Sequence, residues 1–384
     1  MKNRLFWKNA IEELFKEKSI IWLTGVRRSG KTFLCKSFEG IDYFDCELPR
    51  IRRMMEDPES FLESLRGRRI ALDEIHRLPN PSEILKIATD HYPDIQIIAT
   101  GSSTLSAFAK FKDTLTDRKR ELWLTPMMLS DAESFGNTDL KHRFLYGGLP
   151  PFFMSVRYPE RNFQDWMDAF WAKDIQELFR LEKRYSFQKF FELIMAQSGG
   201  IFEANSFASP CEASRTTISN YLKVLEATFT MHIIRPFNSK RQNEIISAPK
   251  VYGFDTGFVC YHRGWHELRN EDMGYLWEHF VLNEIFAHRQ IRDIGYWRDK
   301  QGHEIDFVID RKGQPLIAIE CKWRDKDFDP TNARVFLRHY DKAQIYVVSH
   351  NVSHPYSRKY GDFTIKFMNL AGFDNIWRNS DRFI

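Results

Sequence analysis

Three things are scarce in this 384-residue chain, and each scarcity excludes a class of protein. There is no run of about 18 apolar residues, so no segment is built to cross a bilayer as a helix and no membrane partner is expected. The N-terminal stretch MKNRLFWKNAIEELFKEKSII alternates charge with aromatics and lacks a basic region leading into an apolar core. A secretory leader is therefore not expected, and a cytoplasmic location is. Cysteine is sparse: Cys35, Cys46, Cys211, Cys260 and Cys321 are scattered, odd in number and free of CxxC or Cys/His spacing. That speaks against a disulfide framework or a zinc site and leaves buried free thiols as the expectation. Net charge is also small, and +4 with a pI near 8.6 does not mark a nucleic-acid binder, because counterion release needs a clustered basic surface.

Core-forming material is plentiful. With 43% hydrophobic and 28% charged residues, the chain can build two or three domains, each with its own core. The 33 phenylalanines read as core packing before base stacking.

The strongest local signal lies in WLTGVRRSGKTFLCKSF, residues 22–38. SIIWLT is a short apolar, β-branched run that reads as a buried strand, and KTFLCKSF has helical spacing. Between them stands GxxxxGK[ST], the pattern whose backbone amides cradle phosphate oxygens. Gly25 and Gly30 allow the turn, Lys31 reaches the β and γ phosphates of ATP, and Thr32 is a Mg²⁺ ligand. Arg28, Ser29 and Phe33 complete the candidate nucleotide contacts, and Arg27 is open to phosphate, partner, DNA or solvent. A chance match in a chain this long is on the order of one in a hundred.

RRIALDEIHRL, residues 68–78, supplies a second wall. Its strand ends in Asp73, expected to hold Mg²⁺ through water, and Glu74, expected to deprotonate the attacking water. The third, DIQIIATGSS, presents Thr100, Ser102 and Ser103 where a strand end faces the γ phosphate; Ser102 is a candidate sensor, and an N-cap fits it too. Strands alternating with helices predict a parallel α/β sheet with the site at the C-terminal ends of its strands.

With these motifs the chain resembles AAA-type ATPases. It is closer to a bacterial and archaeal group whose ATPase carries TGxRRxGKT, LDEI, TGSS and a GGxP turn, matched here by TGVRRSGKT, LDEIH, TGSS and YGGLP. The group's GR…LxPLSF segment is altered to LTDRKRELWLTPMMLSDAESF, with Asp117 beside Arg118. Arg118 falls where the family arginine would stabilise phosphoryl charge, in cis or across a subunit boundary of a homo-oligomer. A solvated basic run explains it equally.

In the middle, FQDWMDAFWAKDIQELFRLEK shows aromatics at helical spacing, a core-facing stripe. SPCEASRTTISNYLKVLEATFTMHIIRPF reads as a winged helix exposing Arg215, Thr217, Ser219, Asn220 and Lys223 to DNA, or as a packing module. The last third holds an expected amphipathic helix, GYLWEHFVLNEIF, with Glu278 and Glu284. A hairpin then delivers Asp306 from EIDFVID and Glu320 and Lys322 from LIAIECKW. An Asp followed by Glu-x-Lys is the core of the PD-(D/E)xK nuclease pattern. Glu278, Asp306 and Glu320 are candidate ligands for Mg²⁺ or Mn²⁺, with Lys322 as catalytic partner. The resemblance implies the same nuclease-like fold, with activity in the group uncharacterised.

The expectation is thus a P-loop ATPase domain at 1–145, a helical and winged-helix region at 146–250, and a C-terminal α/β restriction-endonuclease-like domain at 251–384. The leading function is ATP hydrolysis coupled to DNA binding or cleavage. The alternative is an ATP-controlled switch that holds DNA or a protein without cutting. A small-molecule kinase fits less well, because no substrate lid follows the loop.

Overall fold

Strand β1 (Ile20–Thr24) is buried along its whole length and has parallel neighbours on both sides. It pairs with β4 (Gln96–Thr100) and with β5 (Lys119–Trp123). With β2 (Asp42–Asp45) and β3 (Arg69–Asp73) these form a five-stranded parallel sheet in the order β2-β3-β4-β1-β5. The computed structural model describes residues 3–101, 117–176, 179, 181, 183–237, 248–311 and 313–372. Alternation along the strands feeds two cores. Ile20, Trp22, Ile70, Leu72 and Ile97 enter one with the helix Pro81–His91, and Ile21, Leu23, Ala71 and Ile98 enter the other with the helix Leu5–Phe15. The chain order reverses at β1, with β4 on one side and β5 on the other, so the crevice beyond its C-terminal end is where an open α/β sheet binds ligand.

The remaining strands build one nine-stranded mixed sheet, β13-β14-β12-β11-β10-β9-β7-β8-β6. In chain order these are β6 (Gly200–Ile201), β7 (Met231–Pro236), β8 (Lys250–Gly253), β9 (Gly295–Arg298), β10 (Glu304–Ile309), β11 (Ile317–Cys321), β12 (Gln344–Val348), β13 (Tyr356–Tyr360) and β14 (Phe363–Met368). The expected hairpin is present: β10 and β11 pair antiparallel with Phe307 opposite Ile319, which puts Asp306 opposite Glu320. The pairing of β10 with β9 slips between Ile305 and Val308, an irregularity of the kind that re-aims a side chain.

The helix Asn270–Arg289 was expected to be amphipathic and is instead buried almost all round, from Met273 through Ala287. It packs between the two sheets: Ala287 enters a core with β1 residues, while Trp277, Phe280 and Ile285 enter the large core of the middle and C-terminal elements. A helix covered on both sides needs no polar face, and its buried polar residues must find partners inside the protein. All five cysteines are buried free thiols. Among the described residues no helix is long and apolar enough to cross a membrane.

Candidate functional site

The loop after β1 turns on two glycines that nothing else can replace locally. Gly25 has φ of 142°, and a Cβ there would lie 2.5 Å from the carbonyl oxygen of Leu124, just past β5. Gly30 has φ of 100° and starts the helix Lys31–Lys36 without a side-chain cap. Arg28 also takes positive φ, 64°, a local cost the surrounding contacts must hold in place. One such contact comes from Arg4, 1% exposed, whose guanidinium donates to Ser29 O at 2.9 Å, Thr125 O at 3.1 Å and the Asp131 carboxylate at 2.6 Å. Removing one member of this buried pair would leave an uncompensated charge, at about 3–5 kcal/mol.

Around the loop lies a cavity of about 780 Å³ lined by Gly25, Arg27, Arg28, Gly30, Lys31 and Thr32 of the loop, with Glu74 and Asp174 among its other walls. Phe33, Phe135, Pro150, Pro151 and Met154 form an apolar ledge on it. Pro150, Pro151 and Met154 of the ledge are carried by the YGGLP turn and the short helix after it. Gly147 and Gly148 approach Asp255 and Arg143 so closely that a Cβ on either would sit 2.2 Å from those side chains, and Gly148 N–H donates to Asp255 Oδ2 at 2.6 Å.

The loop fits a triphosphate on several grounds. Lys31 Nζ donates to Gly25 O at 2.8 Å and Val26 O at 3.2 Å, and burial pushes its pKa down against the pull of Glu74, Asp174 and Asp73. Ser29 Oγ is buried without a hydrogen-bond partner, an orphaned polar atom inside the loop. Thr32 Oγ1 donates to Asp73 Oδ2 at 2.7 Å, bringing together two oxygen ligands suited to Mg²⁺ beside the phosphates. Tyr43 donates to the same oxygen at 2.5 Å, Thr100 donates to Asp73 Oδ1, and Thr100 Oγ1 receives Glu74 N–H at 3.1 Å. Glu74 sits at φ 53°, next in chain to the end of β3. Burial alone would raise its carboxyl, but His76, 3.2 Å away, with Lys31 and Arg27, holds it down at about 2. It stands as an ionised carboxylate at the cavity wall.

One expected residue is not part of this assembly. Arg118 precedes β5, whose first residue pairs with Ile20, so it lies at the edge of the sheet opposite the loop, with Nε 3.0 Å from Asp90 Oδ1. It does not reach this chain's phosphate site, because it enters its strand where Gly25 leaves its own. Ser102 and Ser103 lie outside the described residues. Arg4, Tyr43, His76 and Asp174 were not anticipated. Of these only His76 had a signal, as a polar residue just past the Asp-Glu pair at the end of β3.

In the C-terminal sheet, Asp306, Glu320 and Lys322 meet as expected. Lys322 Nζ lies 2.7 Å from Glu320 Oε2 and 4.0 Å from Asp306 Oδ2, and Cys321 N–H donates to Asp306 Oδ2 at 2.7 Å. Glu278 accepts from Tyr252 at 2.5 Å and lies 3.7 Å from Lys250 Nζ, which also bonds Glu304. Burial, then the Asp306 charge, pushes the Glu278 and Glu320 carboxyls up, and the lysines oppose it. The three carboxylates were expected to form a metal cage. Among the described residues no group of three His, Cys, Asp or Glu side chains is arranged to hold a metal ion. Buried carboxylates need counter-charge, and here ammonium groups provide it. Glu320 Oε1 is left buried without a partner. Glu284, on the same helix, faces the other way and accepts Leu129 N–H at 2.7 Å.

A parallel sheet with a glycine loop at its switch point, a lysine in the loop and an Asp-Glu pair on the neighbouring wall defines a P-loop ATPase fold. Comparison with known proteins agrees. Residues 17–132 match the AAA domain family, residues 137–269 a domain of unknown function (DUF8612) and residues 273–370 another (DUF4143). The chain therefore carries an AAA-type, ATP-binding domain and is an ATPase. Uncharacterized proteins of Mycobacterium tuberculosis and Mycobacterium bovis are each 26% identical over 312 residues, covering 77% of this chain and 68% of theirs. A Walker-type ATPase of Pyrococcus abyssi is similar at 15% identity and a TM-score of 0.46, over 68% of this chain and 96% of that one.

Proposed function

We propose that ATP hydrolysis at Lys31, Thr32, Asp73 and Glu74 switches a C-terminal domain of nuclease-like build, residues 251–384, that acts on DNA. In this reading Lys31 binds the β and γ phosphates and Glu74 takes the proton of the attacking water. Thr32 and Asp73 would hold Mg²⁺, which supplies charge neutralisation on the phosphate oxygens. The observation that carries the coupling is the helix Asn270–Arg289. Its middle holds Glu278 in the carboxylate–lysine cluster, and its C-terminal half and cap are hydrogen-bonded to the ATPase domain through Asn283 to Pro126 O, Glu284 from Leu129 N–H and Gln290 with Trp123. A change at the end of β5 therefore acts on the element that holds Glu278. The helix Arg215–Ala227, capped by Ser214, leaves Arg215, Asn220 and Lys223 exposed, which supports a winged-helix DNA contact within 146–250.

A second reading is favoured by the ammonium groups lying across the carboxylates: the domain holds DNA without cutting it. The full chain incubated with plasmid or single-stranded DNA and Mg²⁺ or Mn²⁺ separates the two. Cleavage that disappears in Asp306→Ala supports cutting, and cleavage that loses its ATP dependence in Lys31→Ala while the C-terminal cluster is intact supports the switch. ATP-dependent retention of intact DNA supports holding, and the absence of both cleavage and retention would sink the DNA reading. The ATPase site has its own check: Glu74→Gln is expected to lower kcat by about 10²–10⁴-fold with ATP still bound.

A further inference from the structure

The cavity around the phosphate loop is not closed by the ATPase domain alone. Arg27, third residue of the loop, donates its Nε–H to Asp174 Oδ2 at 2.8 Å, a contact across 147 positions of sequence. Asp174 lies on the π-helical segment Phe170–Gln176, an unusual wider turn of the kind that recurs at functional sites. Phe170, Trp171 and Ile175 anchor that turn in the large core, and Trp166 Nε1–H reaches the carbonyl of Arg27 at 3.0 Å. Both members of the pair line the same cavity as Lys31 and Glu74.

We propose that Arg27 contacts the terminal phosphate of ATP and that Asp174, supplied by the helical middle of the chain, is the residue that positions it. Asp174 takes only Nε, so Nη1 and Nη2, without a partner among the described residues, remain as a two-donor fork that matches phosphate oxygens. The charges around Arg27 locate the fork. Glu74 is stabilised by both Lys31 and Arg27, and Lys31 interacts with Glu74, Asp174, Asp73 and Arg27. Arg27, Glu74 and Asp174 share one cavity with Lys31, the residue that the GxxxxGK[ST] pattern assigns to the β and γ phosphates. A pair that served only to bolt two segments together would be sealed, whereas the Arg27 side chain is 25% exposed at the cavity wall.

The inference rests on ATP hydrolysis at the Lys31–Glu74 site, which Lys31→Ala checks separately by losing ATP and ADP together. Binding of ATP and ADP to the full chain is measured by calorimetry in the Glu74→Gln background, and kcat and KM in the otherwise native protein. Arg27→Ala is expected to weaken ATP about 10–100-fold with ADP within about threefold, and to lower kcat about 10²-fold or more. Asp174→Ala moves both readouts the same way by about tenfold. The Arg27→Ala/Asp174→Ala double variant is no worse than Arg27→Ala, because Asp174 acts through Arg27. Asp174→Asn retains an oxygen for Nε–H and restores most of the preference for ATP. If Asp174→Ala does not fold, Arg27→Lys, which keeps the charge and loses the fork, decides: it should lose the preference for ATP at normal thermal stability. Equal weakening of ATP and ADP by Arg27→Ala, additive losses in the double variant, or native discrimination in Arg27→Lys would overturn the proposal.

Discussion

At Asp73 three hydroxyls from three parts of the sheet converge: Thr32 from the phosphate loop, Tyr43 from β2 and Thr100 from β4. With Lys31, Asp73 and Glu74, Thr32 was legible in the sequence because each sits at a strand end or a glycine turn, where local backbone geometry fixes the direction of the side chain. Tyr43, Arg4 and Asp174 were not, since their roles arise from tertiary approach and no spacing announces it. Arg118 shows the converse: a basic run near the right motif, but at the start of a strand, is carried to the wrong end of the sheet. Arg118→Ala is accordingly expected to leave steady-state kcat within about threefold in the purified chain. An arginine acting on the phosphoryl group is worth about 10³–10⁵, so a loss of 100-fold or more would place Arg118 on a neighbouring subunit's phosphate.

Among the elements, the helix Asn270–Arg289 departs most from its sequence pattern. Its expected polar face is absent because Glu284, Asn283 and Gln290 are turned into hydrogen bonds with the ATPase domain, while Glu278 is turned into the C-terminal cluster. Periodicity alone cannot distinguish a polar residue that faces water from one that faces a buried partner. Glu284→Ala strands the Leu129 N–H and removes a buried carboxylate near His288 and Arg143, a cost of about 1–3 kcal/mol. The expected outcome is a thermal midpoint lower by a few degrees, ATPase activity retained, and loss of any ATP dependence in DNA retention read by fluorescence anisotropy. Unchanged ATP dependence with the same drop in stability would show that the helix is only a scaffold.

Over the whole molecule the ATPase sheet and the mixed sheet are not separate bodies, because Val26 and Trp123 of the first share a core with β7, β8 and the long helix. His232 of β7 sits at that seam, with ring centroids 5.1 Å from Trp123 and 4.7 Å from Phe286. Burial lowers its pKa well below the ordinary histidine value, and the charges of Arg292 and His279 act in the same direction. The folded chain therefore holds it neutral while the unfolded chain protonates it near pH 6.5. Folded protein binds fewer protons than unfolded below that pH, so this contribution to stability is present above about 6.5 and is lost as pH falls. Thermal midpoints at pH 7.5 and 5.5, followed by circular dichroism and by tryptophan fluorescence, read this share by difference between native chain and variant, because the raised carboxyls of Glu278 and Glu320 act in the opposite direction over the same window and the lowered His262 and His279 in the same one. His232→Phe keeps a ring of similar breadth without a titrating nitrogen and should lose less stability, or gain more, than the native chain between pH 7.5 and 5.5; an identical pH slope in that variant would mean that His232 contributes nothing to the acid sensitivity of the fold.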